Sequence, residues 1–270
     1  DKDISYAGCG LPYYVGGVIK DKGELIVNTP AKFSGLTGVT VITGMEAIKL
    51  DSTAKIVTAK DVDTGAISKY EYDKVVIATG ASPFVPDIDG MTREGVFQMR
   101  TPHDAIAMRA YIGSRAVKRA VVVGAGFIGL EVAENLMAQG AAVTVIDIAP
   151  QVLPGVLDAE MAGYVKRHLM KHGIRVITST KAEQILGAEG VTAVKTTNGT
   201  LSCELLVMAA GIRPNTAFLA DTGLEMVKGT IVVDAQMRTN LPDVFAAGDC
   251  ALVTNRLTGA PQWSPMGSSA

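Results

Sequence analysis

Residues Lys118 to Asp147 read KRAVVVGAGFIGLEVAENLMAQGAAVTVID. Ala120 to Val123 has the unbroken apolar character of a strand buried on both faces of a parallel sheet. Gly124, Gly126 and Gly129 then form a Gly-x-Gly-x-x-Gly turn that opens a helix, and a second apolar strand ends at Asp147. In this context each glycine has a task. Gly124 makes the tight turn, Gly126 lets the backbone approach a pyrophosphate, and Gly129 permits close helix packing. Phe127 and Ile128 stand at the same helix start, whose N–H groups would face the phosphates. Asp147 ends the second strand, where an acid accepts hydrogen bonds from a ribose 2'-hydroxyl. The following IAPQVLP holds no Arg or Lys to pair with a 2'-phosphate, so NAD(H) is favoured over NADP(H).

The motif sits mid-chain, which predicts a nucleotide domain inserted within, or following, another domain. A chain of 270 residues with 48% hydrophobic content is long enough for two domains and a large core. Its net charge of -2, with 25 basic and 27 acidic residues interspersed, gives no handle for nucleic acid or an anionic membrane. The most apolar stretch, Ala120 to Leu130, is too short and too glycine-rich to span a membrane. Cys9, Cys203 and Cys250 are odd in number and lack dithiol spacing, which favours a reducing compartment and predicts a cytoplasmic protein. The chain begins at Asp1 without an initiator Met and stops at Ser268, Ser269 and Ala270 with no stop signal, so it reads as cut at both ends.

Working outward, residues 1–20 are turn-rich, with glycines flanking Cys9 and Tyr13-Tyr14. Strand-like runs follow at Val39 to Ile42, Lys55 to Thr58 and Tyr72 to Thr79, with Asp63-Thr64-Gly65 as a hairpin turn. ASPFVPDIDG reads as a crossover loop, and TPHDAIAMRAYI as a helix capped near Thr101 or Asp104, with His103 in the loop before it. Asp158 to His172 is an amphipathic helix with late basic residues, ended by Gly173. Strands at Ile174 to Ile177, Gln184 to Leu186, Val191 to Thr197 and Leu205 to Ala209 complete a domain closing near Val233.

VVVGAGFIGLE, the ATG at Ala78 to Gly80, GIRPN at Gly211 to Asn215 and TNLPDVFAAGD at Thr239 to Asp249 together resemble the pyridine nucleotide-disulfide oxidoreductases. The lone cysteine in SYAGCGLPYYVGG is similar to the branch containing coenzyme A-disulfide reductase, NADH peroxidase, NADH oxidase and persulfide reductase. The resemblance implies an α/β fold in which a Rossmann-like NAD domain (residues 111–234) is inserted in a partial FAD-binding domain (residues 1–110 and 235–270). It implies FAD contacts at Asp249 beside Gly248, at Thr79 and Gly80, and at Ala47, with Ser5 a hydrogen-bonding group for flavin or substrate or an ordinary turn serine. Glu131 and Phe127 would flank the nicotinamide, and Gly211 the nucleotide. It also implies a homodimer in the intact parent. Against the family pattern, the strand, glycine turn and helix that hold the FAD pyrophosphate are missing, as are the flavin-side helix and dimer domain. Gly8 stands where many coenzyme A-disulfide reductases have Asn, and no basic cluster for coenzyme A phosphates is evident.

Cys9 lies in a glycine-rich loop with room for a substrate, and a helix following it would favour the thiolate. With no second thiol nearby, its oxidised form is a mixed disulfide, persulfide or sulfenic acid. The leading reading is an FAD-dependent enzyme passing electrons from NADH to Cys9 and on to a small-molecule disulfide, persulfide or peroxide. Its rivals are an NADH peroxidase or oxidase, a non-catalytic NAD-binding fragment, and a cysteine-independent electron-transfer reductase. Cys203 and Cys250 read as core residues. His168 and His172 share a helix, but HLMKH lacks the glutamate of HExxH and a third ligand, so no metal site is expected.

Overall fold

In the computed structural model, residues 3–266 are described; Asp1 and residues 268–270, where the cut ends were read, lie outside them. The described residues divide into two compact units. One is built from Ser5–Thr29 and Pro83–Gly211, the other from Pro30–Ser82 with the segments before Ser5 and after Gly211.

Among the described residues the α-helices, in chain order, are α1 (Leu11–Val15), α2 (Pro30–Thr37), α3 (Pro102–Ser114), α4 (Phe127–Ala138) and α5 (Ala159–Lys171). All but α2 belong to the first unit. Its centre is a five-stranded, all-parallel sheet in the order Arg175–Ile177, Ala142–Ile146, Arg119–Val123, Leu205–Met208, Val96–Phe97. From Arg119–Val123 the chain steps outward through α4 and α5 on one side, then resumes on the other at Leu205–Met208. The strand order therefore reverses at the carboxyl end of Arg119–Val123, where open α/β sheets bind ligands. All four residues of Leu205–Met208 are buried, as are Ala120 to Val123. Each fully buried aliphatic side chain contributes about 1.5–3 kcal/mol. A three-stranded antiparallel sheet, Ala182–Leu186, Ala193–Thr196 and Gly199–Ser202, completes this unit.

Capping explains where the helices begin. Thr101 caps α3 and forms a capping box with Asp104, so Pro102 is already helical. His103 thus lies in the first turn of α3 and not in a preceding loop. Asp158 caps α5 by accepting the Met161 N–H at 2.8 Å, and Gly173, at φ +93°, stops it. The segment Ser5–Thr29 packs against this unit through α1. Leu11 and Val15 enter the same core as Met108 of α3 and Val132 and Leu136 of α4.

In the second unit, Met45–Asp51, Ile56–Asp61 and Ile67–Glu71 form an antiparallel sheet. Asp63-Thr64-Gly65 makes its hairpin turn: Gly65 has φ +76°, and Asp61 Oδ1 accepts the Asp63 and Thr64 N–H groups. Val75–Ile77 and Val244–Ala246 pair in parallel, although they are far apart in the chain. Leu50, Ile77, Ile231, Val244, Ala246 and Cys250 form the core. Val39 to Ile42 is not a strand. Val39 and Ile42 are exposed, and no neighbouring strand supplies the ladder that β-branched residues alone cannot provide.

Candidate functional site

In the first unit the glycine turn follows directly from the central strand. Gly124 has φ +116°, and a Cβ there would overlap the Ala209 carbonyl on the adjacent strand end. A Cβ at Gly129 would overlap the Gly124 carbonyl, so glycine lets α4 close onto the turn. Gly126, the N-cap of α4, differs: nothing lies within 4 Å of where its Cβ would stand. The backbone therefore leaves room for a ligand beside the unsatisfied N–H groups of the α4 start, which fits a dinucleotide pyrophosphate.

Asp147 has a structural task as well. Its Oδ2 accepts the Ala125 N–H at 2.6 Å and its Oδ1 accepts the Ala149 N–H at 2.7 Å, tying the second strand to the glycine turn. Each carboxylate oxygen keeps a further lone pair, so a ribose hydroxyl can still donate to it. Phe127 and Ile128 are both exposed at the first turn of α4, although they are large and apolar. Glu131, one turn on, is half-buried; burial, and next the neighbouring Glu134 carboxylate, hold its carboxyl above the usual glutamate range. Gly211, at φ +107° and exposed, accepts the Phe84 N–H at 2.8 Å.

Cys9 belongs to the same unit. It is exposed on the 3-10 turn Gly8–Gly10, which runs straight into α1, and the space beside Gly8 is open. Ser5 starts a short strand paired antiparallel with Ile26–Asn28. The other two thiols differ from Cys9. Cys203 is buried and its thiol is pushed up to about 12 by burial, reinforced by Glu204. Cys250 is buried, and its Sγ–H faces the carbonyls of Ala247 and Ile77. Thiolate chemistry is accessible at Cys9 alone of the three.

In the second unit, the parallel pairing of Val75–Ile77 with Val244–Ala246 brings the ATG and AAGD motifs side by side at one sheet end. Ala247 N–H donates to the Ile77 carbonyl at 3.0 Å, and Gly80 and Gly248 both have positive φ, +65° and +78°. Asn215 joins them, its N–H bonding the Gly80 carbonyl at 2.9 Å and its Nδ2 the Thr79 carbonyl at 3.0 Å. Trp263 Nε1 donates to the Asp249 carbonyl at 2.8 Å. The buried Thr79 hydroxyl has no hydrogen-bond partner, a costly state that a polar ligand group would relieve. Ala47 lies elsewhere in this unit, at an irregularity of the antiparallel sheet.

Two residues were not singled out from sequence. Asn215 was within reach because it closes the GIRPN motif. Asn135, only 4% exposed, is a polar residue on the buried face of an apolar helix, a signal that periodicity alone passes over. His168 on α5 and His172 at its C-cap are exposed with rings 4.3 Å apart, and among the described residues no group of three or more His, Cys, Asp or Glu is arranged to hold a metal. No helix among the described residues is long and apolar enough to cross a membrane.

These features agree with the comparisons. The pyridine nucleotide-disulphide oxidoreductase family model matches residues 1–267, and the chain belongs to this family. It is 38% identical over its whole length to an NADH oxidase of Methanocaldococcus jannaschii, covering 60% of that protein. It is 34% identical to an NAD(P)H coenzyme A polysulfide/persulfide reductase of Pyrococcus horikoshii, with 97% of this chain and 58% of that one aligned. Among solved structures, an NAD-dependent persulfide reductase from A. fulgidus superposes with a TM-score of 0.93 at 36% identity, over 99% of this chain and 50% of that one. The chain thus spans 50–60% of the length of these relatives.

Proposed function

We propose that this chain is the electron-transfer portion of an FAD-dependent NADH oxidoreductase that reduces a small-molecule disulfide or persulfide, such as coenzyme A disulfide, at Cys9. One observation carries the reading: the exposed Cys9 and the Gly124–Gly129 turn belong to one compact unit, whereas Cys203 and Cys250 are buried. Residues 1–110 and 235–270 supply the flavin side, and residues 111–234 the NAD side. The intact parent is a cytoplasmic homodimer that engages neither nucleic acid nor membrane.

The roles follow from the chemistry of each group. The N–H groups at the start of α4 bind the pyrophosphate, and Gly126 leaves it room. Asp147 orients the adenosine ribose and disfavours a 2'-phosphate by like-charge repulsion. Phe127 shields the nicotinamide from water, with Ile128 beside it and Glu131 at its edge. Gly211 borders the nucleotide. Thr79, Gly80, Gly248, Asp249, Ala47 and Ser5 position the flavin. Bound FAD would supply the two-electron relay from NADH that returns Cys9 to its thiolate. The Cys9 thiolate attacks one sulfur of the substrate disulfide, the S–S bond breaks, the second sulfur leaves as thiolate, and a mixed disulfide remains on Cys9.

The test starts with the visible spectrum of the purified protein before and after anaerobic NADH. A flavin band bleached by NADH, with disulfide turnover abolished in Cys9→Ser, supports the reading. A colourless protein that binds NADH points instead to a nucleotide-binding fragment, and unchanged turnover in Cys9→Ser to a cysteine-independent reductase. The similarity to an NADH oxidase favours a second reading, in which dioxygen or peroxide is the oxidant. Faster turnover with either than with coenzyme A disulfide would establish it.

A further inference from the structure

The turn that carries Cys9 runs into α1, which packs on the nucleotide helix through Leu11 and Val15 and is fastened beyond its end at Gly16. Beyond α1 the chain continues through Gly16 and Gly17, and Gly16 lies so close to α4 that a Cβ there would overlap Asn135 Oδ1 and come within 2.8 Å of its Cγ. Asn135 is held in place from the other side, since its Nδ2 donates to the Glu131 carbonyl at 2.8 Å. One turn further, Gln139 Nε2 donates to the Gly16 carbonyl at 2.7 Å. Gly17 needs its positive φ of +79° to turn the chain away. A third clamp comes from α3: the Arg109 guanidinium stacks over the Tyr14 ring at 4.4 Å and donates to the Ile19 carbonyl at 3.0 Å.

These contacts bracket a five-residue helix that continues the Cys9 turn. A piece so short has little stability of its own, so its position is set by what it touches. α4 is the element whose first turn carries Phe127 and Ile128, with Glu131 one turn on. One rigid helix therefore fixes, at its start, the groups proposed to meet the nicotinamide and, two to three turns on, the peptide bearing the thiol.

We infer that Asn135 and Gln139 are positioning residues which, through Gly16, set Cys9 relative to the nucleotide end of α4. This rests on Cys9 being the redox cysteine. The inference is tested on the flavin-loaded protein by two rates, flavin reduction by NADH in a rapid-mixing experiment and steady-state disulfide turnover. Gly16→Ala drives α1 off α4. It is expected to lower turnover at least tenfold, with flavin reduction by NADH unchanged within twofold. The double variant Gly16→Ala/Asn135→Gly, which removes the obstruction together with the Asn135 side chain while keeping the Gln139 bond, is expected to recover part of the loss. Gln139→Ala, at an exposed position, removes only the hydrogen bond to Gly16 and is expected to lower kcat two- to fivefold at unchanged KM for NADH. Turnover unaffected in both single variants, equal slowing of both rates, or no recovery in the double variant overturns the inference. Cys9→Ser, run alongside, separates the two readings: if it retains turnover, the redox role of Cys9 fails first.

Discussion

The two nucleotide-type sites reach similar local geometry by different routes. At Gly124–Gly129 one continuous stretch supplies strand, turn and helix; Gly129 is demanded by the Gly124 carbonyl and Gly124 by the Ala209 carbonyl on the adjacent strand end, while the space beside Gly126 is open. At Thr79–Gly80 and Gly248–Asp249 two strand ends far apart in the chain are joined by parallel pairing, and Asn215 ties down the Thr79–Gly80 end. The first site is rigid through its own sequence. The second depends on tertiary pairing, and its buried Thr79 hydroxyl still lacks a partner.

Five substitutions sharpen that contrast. The largest effect is expected for Gly124→Ala, where a left-handed φ and overlap with the Ala209 carbonyl together cost about 3 kcal/mol of stability. Urea unfolding measures this. Gly126→Ala is its control, expected to change stability by about 0.5 kcal/mol or less while still weakening NADH binding. Next comes Asp147→Asn, which replaces a charged acceptor of two backbone N–H groups and a ribose hydroxyl. NADH affinity is expected to fall by about 2 kcal/mol, roughly thirtyfold, in a fluorescence titration. Unchanged affinity would confine Asp147 to its structural bonds.

Thr79→Val should act in opposite directions on the two states. Removing an unpartnered buried hydroxyl leaves the flavin-free protein as stable or more so, by about 1 kcal/mol, while flavin retention on dilution falls. Equal retention would remove Thr79 from the flavin site. The smallest effect concerns Glu131. Its folded pKa lies above the ordinary value, so the folded state holds the proton more tightly and stability declines as pH rises through that range. Glu131→Gln is therefore expected to raise the melting temperature slightly at pH 7 and to leave it unchanged below about pH 4.

How much was legible in sequence follows the same division. The strand, glycine turn, helix, second strand and Asp147 could be read because they form one continuous stretch with a fixed spacing of glycines and acid. So could the Asp63-Thr64-Gly65 hairpin and the amphipathic helix from Asp158, though not the cap that Asp158 makes. The side-by-side placement of the ATG and AAGD motifs followed only from family resemblance, since no short-range pattern shows that Val75–Ile77 pairs with Val244–Ala246. Val39 to Ile42 misled because β-branched composition registers a preference without showing a partner. Two pieces of Asp147's role, the bonds to Ala125 and Ala149, were invisible because backbone donors leave no mark in side-chain patterns.

The fastening of Gly16 to Gln139 spans 123 residues of sequence. During synthesis, the peptide bearing Cys9 leaves the ribosome well before its anchor exists. At about 5–20 residues per second the delay is roughly 6–25 s. For that interval the thiol is tethered to an unfinished chain, without the helix that later sets its place. A nascent-chain thiol-trapping experiment would see Cys9 change its labelling behaviour only after α4 has emerged.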